Sequence, residues 1–537
     1  MAAAFIVILP FFFLGNPSGH DFEFHVNSWM EVLGQWRQGI VYPRWAALSA
    51  YGYGEARFIF YPPASWTLGA ALGALLPWKA VPGTYVWLAL TLSGCSMFFL
   101  ARQWLDRRDA IFAAALYAAN PYYIVIVYWR SAFAELLAGA LLPLLLLYAL
   151  RSEEERGKAV IPLALIVAAA WLTNIPSAVM VNYSLVLVIL ILAVLKRSLR
   201  VLLYGAFAVL LGAALAAFFL VPAAYEQRWV NIAEVLSPGV RPQDNFLFVN
   251  IDDADHNRFN LLVSLVASVE MILLAIGVFF ARQWRARQPR VWWTLLSWAL
   301  LAALLNFSFT VWLWEHFPEL RYLQLPWRWL LCLNVVFALL VTMASRRWIV
   351  RLLICTSLLL TLGFVWHRIQ APWWEKAEDF SQMLDSQQSG IGYEGTDEYV
   401  PVAADPYEIK QDAPRVAVDE GGVATEAPQV RIQQWNAESK LFITKISQPG
   451  QLVLRLFNYP AWRVEVNDQV VAAATRDVTG QMLIPVQAGE NRVQIKFTRT
   501  WDRIVGAIIS IVTTLFLGGF VLLAQLKLTA PQKNSAT

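Results

Sequence analysis

The run Ala64-Ser-Trp-Thr-Leu-Gly-Ala-Ala-Leu-Gly-Ala-Leu-Leu-Pro-Trp78, preceded by Tyr61-Pro62-Pro63 and followed at once by Lys79, sets the topology of everything after it. It is apolar but short for a membrane span, and it begins on prolines that a helix interior does not accept. If it crossed the bilayer, Arg102, Arg107 and Arg108 would lie outside. The clusters Lys196/Arg197/Arg200, Arg282/Arg285/Arg287/Arg290 and Arg346/Arg347/Arg351 would follow them. If it lies in the outer interface, all of these, with Arg151/Arg156/Lys158, fall in the cytoplasm, where loop Lys and Arg accumulate. The run is therefore read as a juxtamembrane helix.

Outward from that point, twelve stretches read as spans: 2–15, 82–103, 109–127, 133–150, 159–174, 176–195, 201–222, 259–281, 291–313, 328–344, 352–368 and 502–525. Composition agrees. Of 537 residues, 58% are hydrophobic and only 15% charged, which excludes a single water-soluble globule. The 25 Trp and 18 Tyr, many at the edges of the runs, suit aromatic belts at the two water boundaries. The chain reads as a polytopic α-helical membrane protein, with both termini in the cytoplasm. Its net charge of +4 is mostly loop Lys and Arg, so no nucleic-acid partner is expected. The first span is short and lacks basic residues before it. A cleaved signal peptide would lack its basic start too, and a start codon placed too late would account for both.

Cys95, Cys332 and Cys355 all lie inside apolar runs, so no disulfide framework or zinc-type cluster is expected. The histidines His20, His25, His256, His316 and His367 are scattered, which disfavours a three-histidine metal site.

Three segments fall outside: 16–81, 223–258 and 369–501. The second half of the last alternates as strands at 429–434, 440–446, 452–457, 462–466, 482–486 and 492–497, with turns at Asn467-Asp468 and Ala488-Gly489. A small β-sandwich is expected there. The stretch 370–427 is acidic and rich in Gly, Ser and Pro, and is read as a partly ordered wrap or lid. The organisation is thus a membrane module at 1–368 with first outer loop 16–81, a mainly β domain at 369–501, and a last span with cytoplasmic tail at 502–537. No internal repeat is found.

Chemistry concentrates at the outer rim. After the first span comes Gly19-His20-Asp21-Phe22-Glu23-Phe24-His25, and Phe22, Val26, Trp29, Leu33, Trp36 and Ile40 recur at helical spacing. That predicts a helix lying flat on the outer leaflet, begun by Asp21 with His25 one turn on. Two acids and a histidine at a cavity mouth offer a general base or a divalent-cation site; a helix cap and a solvated charge explain the acids equally. Arg130 and Glu135 stand at the outer end of a span, where ionisable groups face a cavity or one another. Arg328, in Gln324-Leu-Pro326-Trp327-Arg328, stands at an outward helix N-terminus suited to a phosphate, or snorkels beside a belt Trp. Arg44 and Arg57 in the first outer loop and the turn Thr173-Asn174-Ile175-Pro176 are further candidates. Asp252, Asp253, Asp255 and His256 read as a solvated acidic loop.

These motifs carry a resemblance. Asp21-Phe-Glu23-Phe-His25, Gly39-Ile-Val-Tyr-Pro43-Arg44-Trp45, Gly52-Tyr-Gly54, Phe60-Tyr-Pro62-Pro63, Arg130 with Glu135, and Gln324 to Arg328 are similar to bacterial membrane proteins described as 6-pyruvoyl-tetrahydropterin synthase-related. Asn458-Tyr-Pro-Ala-Trp-Arg-Val-Glu-Val-Asn467 with Val486-Gln-Ala-Gly489 resembles the outer domain of YfhO-like proteins. Both groups resemble the GT-C class of integral-membrane glycosyltransferases. The zinc site of a pterin synthase needs several histidines that are not supplied here. The GT-C resemblance implies a sugar donor on a polyprenyl phosphate, an extracytoplasmic acceptor (glycan, lipid or protein) and an acidic base in the first outer loop. Carried over, Asp21 is the base, Glu23 or Glu135 a second acid, and Arg130 and Arg328 phosphate partners, with His25, Arg44, Arg57, Asn174 and Gln324 as binding candidates. This chain has Asp-x-Glu where some members have Asp-x-Asp, and Asn174 where relatives often carry His. That bears on whether Mg or Mn, held by Asp21, Glu23 and His25, takes part. A lipid-linked sugar flippase would carry repeats and mid-membrane charge, which the outer-rim charge disfavours. A non-catalytic scaffold that binds carbohydrate through its β domain is the third reading.

Overall fold

The computed structural model describes residues 1–152, 159–368, 373–420, 423–427 and 429–529. Among these, eight helices are long and apolar enough to cross a membrane: Trp78–Ala101, Arg107–Arg130, Phe133–Arg151, Ile175–Lys196, Ala254–Ala281, Pro326–Ala344, Trp348–His367 and Trp501–Leu522. Two expected spans are broken rather than straight: Leu199–Leu215 turns 76° into Ala217–Trp229, and Pro289–Leu304 turns 98° into Ser308–His316. The first breaks where Ala216 leaves helical geometry (ψ 5°), six residues before Pro222. In the second, Phe307 is extended and Trp314 folds back to donate its indole N–H to the Leu305 carbonyl at 3.2 Å. Ala2–Phe12 and Val160–Thr173 are apolar but shorter than a full crossing. The first of these still packs in the bundle, with Ala4, Val7 and Ile8 buried and the Val7 carbonyl accepting from Tyr128 Oη at 2.5 Å.

The basic loops gather at one end. Arg351 pairs with Asp109 at 2.7 Å, Arg151 bonds Gln103 at 2.9 Å, and Trp104 meets Trp284 at 5.6 Å. The opposite end carries the first outer loop and the β domain. Pro63–Leu75 is a short helix there, held against Phe22–Arg37; a Cβ on Gly69 would come within 2.1 Å of the Trp29 ring, so the small residue permits the close crossing.

Phe22–Arg37 does not lie on a surface as its apolar stripe predicts. Trp29 stacks on Tyr85 at 5.0 Å on one side, while Asn27, Ser28, Glu31 and Gln35 are buried on the other. The reason is that the outer domain covers the polar face: Gln387 Nε2 donates to the Asn27 carbonyl at 3.1 Å, and Tyr393 Oη donates to Glu31 at 2.5 Å.

The outer domain has two antiparallel sheets. One runs in the order Ala474–Thr475, Gln481–Val486, Gly450–Phe457, Val416–Glu420, Val423–Glu426, and the other Val430–Trp435, Ser439–Ile446, Gly489–Phe497, Trp462–Val466, Gln469–Val471. Asn467 and Asp468 form the hairpin turn, both at positive φ. Ala488 and Gly489 instead carry the chain from one sheet to the other. Part of the expected wrap is ordered structure: Trp374–Glu375 pairs with Asn16–Pro17, Ala377–Ser389 is a helix, and two of the strands follow. A buried clamp joins the domain to the bundle, with Arg503 Nε and Nη2 each 2.7 Å from the Glu226 carboxylate, which also accepts from Tyr459 Oη at 2.7 Å.

Candidate functional site

Residues 19–21 lie against the C-terminal end of Arg107–Arg130. His20 N–H donates to the Trp129 carbonyl at 3.1 Å, and Asp21 N–H to the Arg130 carbonyl at 2.8 Å. Gly19 N–H donates to Ser131 Oγ at 3.0 Å, with Ser131 itself left-handed at φ 48°. A Cβ on Gly19 would lie 2.6 Å from the Trp129 carbonyl oxygen, so only glycine allows the two backbones this close. The approach sets Asp21 beside Arg130. The Asp21 carboxylate makes no capping bond to its helix; it stands 3.6 Å from Arg130 Nη2 with 41% of its side chain exposed.

Glu135, one short turn beyond Ser131, is the hub. Its Oε1 accepts from Tyr122 Oη at 2.6 Å; its Oε2 accepts from Arg130 Nη1 at 2.5 Å and Arg328 Nε at 3.0 Å. Arg328 Nη1 further donates to the Leu323 carbonyl and to Gln324 Oε1, while Gln324 Nε2 donates to the Val235 carbonyl at 2.7 Å. Two buried guanidiniums thus share one fully buried carboxylate, leaving an excess positive charge. Asp21 meets it only from the rim. Arg328 Nη2 has no protein acceptor among the described residues, so its two N–H donors remain for a ligand.

These groups open onto one cavity of about 870 Å³, lined by Asp21, His25, Arg130, Glu135, Asn174, Gln324 and Arg328. Its wall toward the bundle is apolar, with Trp171, Ile175, Val179 and Leu220. Asn174 presents its amide there while capping the helix Ile175–Lys196 through Ser177. His25 is packed among aromatic rings, Phe133 at 5.2 Å and Trp29 at 5.9 Å, and burial with the nearby Arg57 and Arg130 pushes it down to about 3. It is neutral at physiological pH.

Three sequence candidates stand elsewhere. Glu23 is exposed and off the cavity. Arg44 reaches toward Glu438 at 3.9 Å. Arg57 is buried in its own cluster, 2.6 Å from Glu55 and 2.9 Å from Ser28 Oγ, with its guanidinium 4.3 Å from the Phe24 ring. Because Glu23 points away, Asp21, Glu23 and His25 do not form a cation donor set, and among the described residues no three His, Cys, Asp or Glu side chains do. Of the acidic loop, Asp253 caps the helix Ala254–Ala281 and only His256 reaches the cavity.

The stretch read from sequence as a wrap or lid supplies the roof, but its lining residues carried no sequence signal. Residues 396–402 cross the cavity as a strap and bring Thr396, Glu398 and Tyr399 to its lining. The strap is anchored on both sides: Ala56 N–H donates to the Tyr399 carbonyl at 3.2 Å, Asn231 N–H to the Val400 carbonyl at 3.0 Å, and Thr396 N–H to Glu55 at 2.9 Å. Burial raises the Glu398 carboxyl to about 7, with Glu55 and Asp397 adding to the rise.

Solved structures similar to the chain include the following. ArnT from Cupriavidus metallidurans bound to undecaprenyl phosphate matches at 15% identity and TM-score 0.41, over 68% of this chain and 63% of that one. The Archaeoglobus fulgidus oligosaccharyltransferase matches in complex with Zn and sulfate (13%, 0.38, 74% of this chain and 53% of that) and in apo form (12%, 0.39, 72% and 55%). The chain thus spans less than two thirds of each of these proteins. No curated protein matches. The model of the 6-pyruvoyl-tetrahydropterin synthase related domain, a membrane protein family, matches residues 58–373, from the first outer loop through the helices that build the cavity floor, and the chain belongs to that family.

Proposed function

We propose that the protein is an inverting membrane glycosyltransferase that moves a sugar from a polyprenyl-phosphate donor to an extracytoplasmic acceptor. The observation that carries this reading is the convergence of Asp21, Arg130, Glu135 and Arg328 on one cavity with an apolar wall. Arg130 and Arg328 face the phosphate, and Glu135 holds both guanidiniums in place and takes no proton itself. The Arg328 Nη2 left without a protein acceptor donates to a phosphate oxygen. The prenyl chain runs along the apolar wall.

In the step itself the acceptor hydroxyl oxygen attacks the anomeric carbon, and the bond from that carbon to the phosphate oxygen breaks. The electron pair leaves on the phosphate, where the arginines stabilise it. The hydroxyl proton passes to the Asp21 carboxylate, the rim group free to take it. No step is assigned to a divalent cation, since the residues expected to hold one do not converge. The site faces the outer side of a bacterial cytoplasmic membrane, and both termini face the cytoplasm, with the gathered basic loops.

The test uses native membranes supplied with radiolabelled nucleotide sugars, from which lipid-linked donors form. Asp21→Asn should reduce transfer by about 100- to 10,000-fold, the usual contribution of a general base, with inserted protein unchanged. Wild-type transfer in that variant would overturn the mechanism.

A further inference from the structure

The cavity has two chemically different ends. The floor is cationic and holds Arg130 and Arg328. Under the strap, the lining is aromatic and hydroxylated: Phe24, Phe60, Tyr61 and Tyr399 surround Thr396 and Glu398. Phe60 and Tyr399 stack in parallel planes, 2° apart with centroids at 6.1 Å, and Tyr61 meets Phe24 edge-on at 4.8 Å. Among the described residues, the Glu398 carboxylate has no cation within ion-pair distance. Arg57 attracts it weakly from within its own pairing with Glu55, and Glu55 and Asp397 repel it. Asp21 stands between the ends: it is 3.6 Å from Arg130, and its charge is among those, after burial, that hold the Tyr61 and Tyr399 hydroxyls well up.

We propose that the space under the strap is the acceptor subsite and that the acceptor is a carbohydrate, with Glu398 binding its hydroxyls and the Phe60, Tyr61 and Tyr399 rings taking its apolar faces. Flat rings beside an unpaired carboxyl and a Thr hydroxyl match a polyol, which presents C–H faces and a fan of hydroxyl donors. A lipid acceptor would need an apolar track to the bundle from this end, and a cationic peptide would meet a carboxyl whose charged form burial disfavours. The bound sugar places one hydroxyl at Asp21, which takes its proton as the new glycosidic bond forms and the lipid phosphate departs. This rests on the transferase reading above.

The experiment follows radiolabel in native membranes from donor to product and, in parallel, the slow hydrolysis of the donor by water. The labelled product should resist protease and organic extraction and yield sugars on acid hydrolysis. Glu398→Gln should lower transfer at least tenfold more than it lowers donor hydrolysis, and Glu398→Asp should recover part of the loss. Label in protein or extractable lipid, or equal losses of transfer and hydrolysis in Glu398→Gln, overturns the carbohydrate subsite while leaving the transferase intact. Wild-type membranes that neither transfer nor hydrolyse any lipid-linked sugar overturn both.

Discussion

At the scale of single residues, the cavity floor is a problem in burying charge. Glu135 compensates two guanidiniums at once, so its removal leaves both in a desolvated site. Glu135→Ala should cost about 3–5 kcal/mol of stability, read as a fall in apparent melting temperature in detergent, because an uncompensated buried charge is the expensive outcome. Arg328→Lys should keep the fold but lose prenyl-phosphate affinity, since an ammonium cannot hold Glu135 and a phosphate from one plane; binding of undecaprenyl phosphate to the purified variant measures it. The residues of this floor were legible in the sequence because ionisable groups at membrane depth need a physical reason to be there. Arg57 had an equally readable sign, Glu55 two positions earlier, and the two pair with each other. Glu398 carried no sign at all. Among Glu394, Asp397 and Asp405 in an acidic stretch, nothing local distinguishes a carboxyl that faces a cavity from one that faces water.

At the scale of elements, positions are set by close backbone approaches. Gly19→Ala would push its Cβ into the Trp129 carbonyl and displace Asp21 from the arginines. A shift of about 1 Å at a reacting group commonly costs on the order of 100-fold in rate, and that is the expected loss of transfer. The strap makes a pH prediction. A carboxyl raised to about 7 in the folded protein binds protons that the unfolded chain releases above its ordinary value, so its contribution to stability is present at acid pH and is lost as pH rises through about 7. Apparent melting temperature should fall across pH 5 to 7.5, and Glu398→Gln should flatten that slope. Spans and strands were legible because their periods are local. The sharp bends at Ala216 and Phe307 were not, since an apolar run reads alike whether straight or broken, and neither was the burial of Phe22–Arg37, whose polar face is met by a segment more than 350 residues away.

At the scale of the whole molecule, the outer domain is not an appendage. It is fastened to the bundle through Glu226, Arg503 and Tyr459, through the pairing of Asn16–Pro17 with Trp374–Glu375, and through the strap. Arg503→Ala would strand the Glu226 carboxylate and should cost about 3–5 kcal/mol; limited proteolysis should then release the outer domain from otherwise intact membrane protein. The strap adds a matter of timing. Ribosomes deliver the floor of the cavity first and its ceiling last, after eleven apolar stretches have already left the tunnel. Any nascent or prematurely terminated chain that ends before residue 396 therefore possesses the arginines without the strap that covers them.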